Sequence, residues 1–195
     1  MSRYGYCFLL LLLIGCDPQQ SQYHNAMQHF LHGDQVTGAR MLAALAENGY
    51  APAQFRLGLL YQTGAGVSRN PHRAVYWFDK AARQGEVGGL YWLAEAYRRG
   101  DGVPVTPELA FQWFYRLAER GYAPAQYQIA LAYAEGRGVT RDHQAAVSWL
   151  ERAATGGHLD SVRWLTRSYQ KGELGLPPDP QKAAQWEQKT RPARF

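Results

Sequence analysis

Read for apolar positions, the chain divides into two unequal stretches. An unbroken apolar run extends from Tyr6 to Ile14, and beyond it apolar side chains recur every three or four residues to the end. The first run is too short for a bilayer-crossing helix, which needs roughly 20 apolar residues. With Arg3 ahead of it, residues 1–15 are expected to be a signal peptide. In the second stretch Ala53, Leu57 and Tyr61 fall four apart, as do Gly89, Leu93 and Tyr97. Such spacing lays one stripe along a helix of 3.6 residues per turn, so helices with one buried face are predicted.

The stripes recur with a period of 36. Gly49, Gly85, Gly121 and Gly157 open four units, and each unit carries a tyrosine column at Tyr61, Tyr97, Tyr133 and Tyr169. Gly64, Gly100, Gly136 and Gly172 follow, then Gly66-Val67, Gly102-Val103 and Gly138-Val139; a one-residue insertion displaces the last pair to Gly175-Leu176. Alanines at 74, 110, 146 and 183 precede tryptophans at 77, 113, 149 and 186. Each unit reads as a helical hairpin whose first helix ends on glycine, since glycine takes positive φ without strain. Asn70, Thr106, Asp142 and Asp179 are expected to cap the second helix, with proline at its first position in three units.

Repeats at a fixed period set the architecture before any local detail does. The units span 49–84, 85–120, 121–156 and 157–191, the last with the insertion, and 192–195 is a tail. Residues 23–48 fit an additional capping hairpin, turned at Gly33-Asp34 and closed at Asn48-Gly49. Terminal units of such arrays depart from the consensus because one of their faces meets water.

These columns resemble the Sel-one-like repeat, a relative of the tetratricopeptide repeat, over about residues 49–189. The resemblance implies an all-α fold, a right-handed α-solenoid of antiparallel helix pairs that binds another protein. It also implies that the first helix of each pair lines a concave face. On that alignment Phe55, Tyr91, Tyr127 and Arg163 form one inward ladder, and Leu59, Glu95, Leu131 and Arg167 stand beside it. Trp92, Arg98 and Trp164 flank the two rows. Exposed aromatics and arginines dominate binding hot spots, which makes the ladder the candidate partner site. Internal packing of the ladder, or a partner on an edge, are the alternatives.

Leu13-Ile14-Gly15-Cys16 resembles the lipobox of bacterial lipoproteins. That resemblance implies lipidation of Cys16, which becomes the mature N-terminus, and a periplasm-facing position in the envelope. Residues 16–22 would be the lipidated cysteine and a polar tether. Asp17 is similar to the inner-membrane retention signal of enteric lipoproteins; without that signal the outer membrane is expected. Small repeat proteins of this kind stand beside secreted membrane-attacking toxins, so one implied role is immunity against a periplasm-acting toxin such as a type VI-secreted phospholipase. Related lipoproteins imply another, a scaffold for envelope export or cell-wall assembly.

Composition narrows the rest. The formal charge of +5 is spread along the chain with no basic run longer than Arg98-Arg99, which disfavours nucleic acid as a partner. Cys7 lies in the signal segment, and a lipidated Cys16 leaves no thiol for a disulfide or a metal. His24, His29 and His32 lie near one another without a carboxylate pair at ligand spacing, so they read as surface histidines rather than a metal site. The glycine pairs recur once per unit and lack a following Lys-Ser/Thr, which makes them turns and not phosphate loops. Cysteine pairs within repeats, which mark relatives linked with penicillin binding or β-lactamase activity, are missing. The expectation is a protein without catalysis, cofactor or metal.

Overall fold

The computed structural model describes residues 17–189. Residues 1–16, where a signal peptide and a lipidated cysteine are expected, and residues 190–195 lie outside the described residues.

Ten α-helices among the described residues form five consecutive hairpins. They are α1 Pro18–Leu31 with α2 Gln35–Glu47, α3 Ala51–Thr63 with α4 Pro71–Arg83, and α5 Val87–Arg99 with α6 Pro107–Ala118. The array continues with α7 Ala123–Glu135 and α8 His143–Thr155, and ends with α9 Leu159–Lys171 and α10 Pro180–Gln188. Each helix packs on the one before and the one after in an all-α solenoid; α3 also touches α5, and Tyr127 on α7 meets Trp164 on α9, so the first helices form one row, the row that the resemblance puts on the inside. The predicted stripes are the buried ones: Ala53 and Leu57 on α3, Gly89 and Leu93 on α5, Ala125 and Ile129 on α7.

Two expectations are corrected. Residues 18–22 are not a tether, because α1 begins at Pro18 with the Asp17 carboxylate accepting from the Gln19 amide at 3.0 Å. An acidic cap followed by proline is the same start signal that Asp179-Pro180 gives α10. Thr106 is also not a side-chain cap. Its hydroxyl donates to the Pro104 carbonyl at 3.2 Å, whereas Asn70, Asp142 and Asp179 accept from the amides of Arg73, Ala145 and Lys182.

The loops explain how one hairpin seats on the next. Gly66, Gly102 and Gly138 take positive φ and lie against the first carbonyl of the preceding second helix, that of Gln35, Pro71 and Pro107 in turn. A side chain there would collide with backbone. In the last unit the insertion puts Leu174 itself at φ 57° and leaves Gly175 without such a contact, while the loop still packs on α8.

Candidate functional site

The inner row carries the ladder, but its aromatic rungs are not free. Phe55, Tyr91 and Tyr127 are half-buried, each locked into the next unit. Phe55 lies on the bare backbone of Gly88 and against Phe78, 6.2 Å between ring centroids. Tyr91 meets Phe114 edge-on at 5.6 Å and Tyr122 at 5.9 Å. Tyr127 stacks on His158 at 4.6 Å and meets Trp164 at 6.1 Å. Tyr122 and His158 sit at the starts of α7 and α9, so each rung stitches one first helix to the next. Burial pushes the Tyr91 and Tyr127 phenols up and the His158 imidazole down, which favours the neutral forms of all three.

The second row is mixed. Leu59 and Leu131 are half-buried, while Arg163 and Arg167 are exposed and ion-paired with Asp160 at 3.0 Å and Glu173 at 2.8 Å. Glu95, expected as a surface rung, is 4% exposed. Its carboxylate accepts from Arg98 through two nitrogens, at 3.1 and 2.8 Å, and pairs with Arg99 at 2.7 Å. A buried carboxylate persists only when it is paired in this way. Hydrogen bonding to the Glu95 carboxylate holds the Arg98 guanidinium above its ordinary range. Trp92 and Trp164 are half-buried beside the rungs.

A depression on this face is bounded by Tyr127, Leu131 and Trp164, by Arg163 and Arg167, and by the carboxylates Glu135 and Asp160. Beside it, between the second and third units, a cavity of about 270 Å³ has a floor of Phe114 and Ile129, walls of Phe111 and Leu131, and Arg98 and Arg137 at its rim. Sequence reasoning placed Arg98 and Leu131 on the ladder but missed Phe111, Gln128 and Arg137. The available signal was Gln128, which stands where the second and fourth units have tryptophan.

Among the described residues no group of histidine, cysteine and carboxylate side chains is arranged to hold a metal, and no helix is long and apolar enough to cross a membrane. A Ser-x-x-Lys motif of acyl-transferring serines, expected from the sequence to be missing, is present as Ser168-Tyr169-Gln170-Lys171. Ser168 is fully buried on the core side of α9, whereas Lys171 is exposed. A substrate carbonyl has no approach to that hydroxyl.

The family model described as Sel1 repeat matches residues 51–86, 88–122, 123–158 and 164–189. A search of curated proteins found no match. Among solved structures, a Sel1 repeat protein from Oxalobacter formigenes is 25% identical with a TM-score of 0.75, over 91% of this chain and 72% of that one. The protein c5321, described as a protective antigen present in uropathogenic Escherichia coli strains and displaying an SLR fold, is 32% identical with a TM-score of 0.85. The alignment covers 94% of this chain and 40% of c5321. With four matched repeats filling most of its length, the chain belongs to the Sel1 repeat family of protein-interaction solenoids.

Proposed function

We propose that the chain is a non-enzymatic binding protein of the bacterial envelope, anchored through a lipid on Cys16, whose inner face engages another protein. The observation that carries this reading is the inner row, where Leu59, Leu131, Arg163 and Arg167 lie beside rigidly stitched aromatics and next to an open apolar cavity. Prefixed aromatic and arginine groups lose little freedom on binding, which suits a recognition surface. The finer reading is an immunity protein that occludes a membrane-attacking enzyme, such as a secreted phospholipase, before it reaches lipid. Asp17 caps α1 and Pro18 opens it, so an anchor on Cys16 leaves almost no slack between solenoid and bilayer. A chain spans at most about 3.6 Å per residue. That seating favours partners working at the membrane surface.

The test is survival of bacteria expressing the full chain while a periplasm-directed phospholipase effector is delivered. Protection is expected, with a loss of at least tenfold in Leu131→Asp/Arg167→Glu, and labelled palmitate should enter the wild type but not Cys16→Ala. Equal killing with and without the chain across a panel of such effectors would remove the immunity reading. Co-purification with resident assembly proteins at stoichiometric yield would replace it with a scaffold.

A further inference from the structure

Neighbouring repeats define what the cavity between the second and third units lacks. One column of the first helices reads Arg56, Trp92, Gln128, Trp164. Trp92 lays its indole over Phe78 of the preceding unit, with centroids 6.1 Å apart and planes inclined by 22°. Phe114 occupies the column of Phe78, and it floors the cavity alongside Gln128. The space of about 270 Å³ is therefore where an indole would lie on a phenylalanine, in a unit without an indole that stands between two units that have one. Two more columns change at the same place. Val105 stands where Arg69 and Arg141 stand, and Phe111 where Val75 and Val147 stand, so the wall is more apolar and more aromatic here than elsewhere.

The charged side chains of the lining itself have one sign, although each is also paired with a carboxylate outside it and Glu108 follows Pro107 in the first turn of α6. Arg98 and Arg137 are the charged residues of the lining, while their partners Glu95 and Glu135, and Asp101 close to Arg98, do not line it. Pro107, which opens α6, also lines the cavity, and Thr106 gives that helix start no side-chain acceptor. Guanidinium groups and a helix N-terminus both favour an anionic atom.

We infer that this cavity is an anchor for an aromatic side chain of the partner protein, with a carboxylate next to that ring held between Arg98 and Arg137. The inference rests on the protein-binding reading above and adds the chemistry of the segment recognised. A ring buried on Phe114 contributes area and offset stacking, and the carboxylate fixes its direction.

The experiment is an amide-resonance titration of the full chain in detergent with N-acetyl-tryptophan, N-acetyl-tryptophanamide and N-acetyl-leucine. N-acetyl-tryptophan is expected to move the resonances of Phe111, Gln128 and Leu131. The uncharged amide should bind about tenfold more weakly, a difference of about 1.4 kcal/mol. N-acetyl-leucine should leave the resonances in place. Gln128→Trp fills the cavity with the residue its column already holds in the neighbouring units, so it should fold with an unchanged or higher melting temperature and lose the response. No movement at those residues, or an undiminished response in Gln128→Trp, would overturn the anchor. So would full protection by Gln128→Trp in the survival assay, and that outcome would leave the protein-binding reading standing.

Discussion

At the residue scale, the clearest imperfection in the array is an amide without a donor. Gln54 and Gln126 occupy the same column, and both donate to the last turn of the preceding helix, at Ala46 and Ala118, each at 3.1 Å. The Gln54 oxygen accepts from Gln84, which also donates to the Gly49 carbonyl. The column of Gln84 holds Gly156 two units later, and the Gln126 oxygen is buried without a partner. Gly156 has φ −76°, which any residue adopts. Its new Cβ would come within 3.0 Å of the Ala123 methyl, so the start of α7 must give by a few tenths of an ångström. Gly156→Gln should therefore stabilise the protein by about 1–2 kcal/mol, from one or two hydrogen bonds and a stiffer unfolded chain. A urea titration measures it, and a midpoint at or below wild type would show that the Gln126 oxygen is satisfied in another way. Columns read this well at the residue scale because a repeat supplies its own controls. The same reading failed for Glu95, since a carboxylate in a leucine column looks like a surface residue until Arg98 and Arg99 are seen to converge on it.

At the scale of elements, nearly every helix was legible, because a glycine end, an acidic or amide cap and a proline start are local signals. What the sequence did not reveal was why the second loop glycine recurs. Tight reversal accounts for positive φ, but Gly102 is also pressed against the Pro71 carbonyl, a contact between units that no local signal announces. The two causes are separable. Gly121 has φ 82°, close to the 78° of Gly102, with nothing near its missing side chain. Gly121→Ala should cost only the left-handed penalty, about 1 kcal/mol. Gly102→Ala should cost about 2–4 kcal/mol, because overpacking against backbone is added. Equal losses in chemical denaturation would mean that the loop can withdraw from α4. The segment 18–22 was misread for a related reason: its polar side chains suggest a linker, while Asp17-Pro18 starts a helix whose contacts begin a turn later, at Tyr23 and Ala26.

At the scale of the molecule, the buried apolar residues fall into two clusters, which meet where Phe55 and Gly58 of α3 lie against Phe78 of α4. One apolar cluster joins the capping hairpin to α3 through Ala26, Leu42, Leu45, Leu57 and Leu60; the other runs from Ala74 on α4 to Ala183 on α10. The division falls inside the first repeat, between its two helices, and the partly buried Tyr61 belongs to both sides. Sequence periodicity could not show this, since the period treats 49–84 as one unit and only the packing reveals which neighbour each helix shares its core with. Repeat arrays owe their stability to intrinsic and nearest-neighbour contributions, so damage is felt first in the cluster that suffers it. Leu42→Ala, at a fully buried site, should cost about 2–5 kcal/mol and accelerate amide exchange through α1–α3. Protection in α5–α9 should change much less. Leu93→Ala should do the reverse, exposing the units around the candidate site while the capping hairpin keeps its protection. Should both variants speed exchange evenly from α1 to α9, the two clusters would be a single cooperative unit, and Tyr61 with Trp77 would be a far stronger weld than their partial burial indicates.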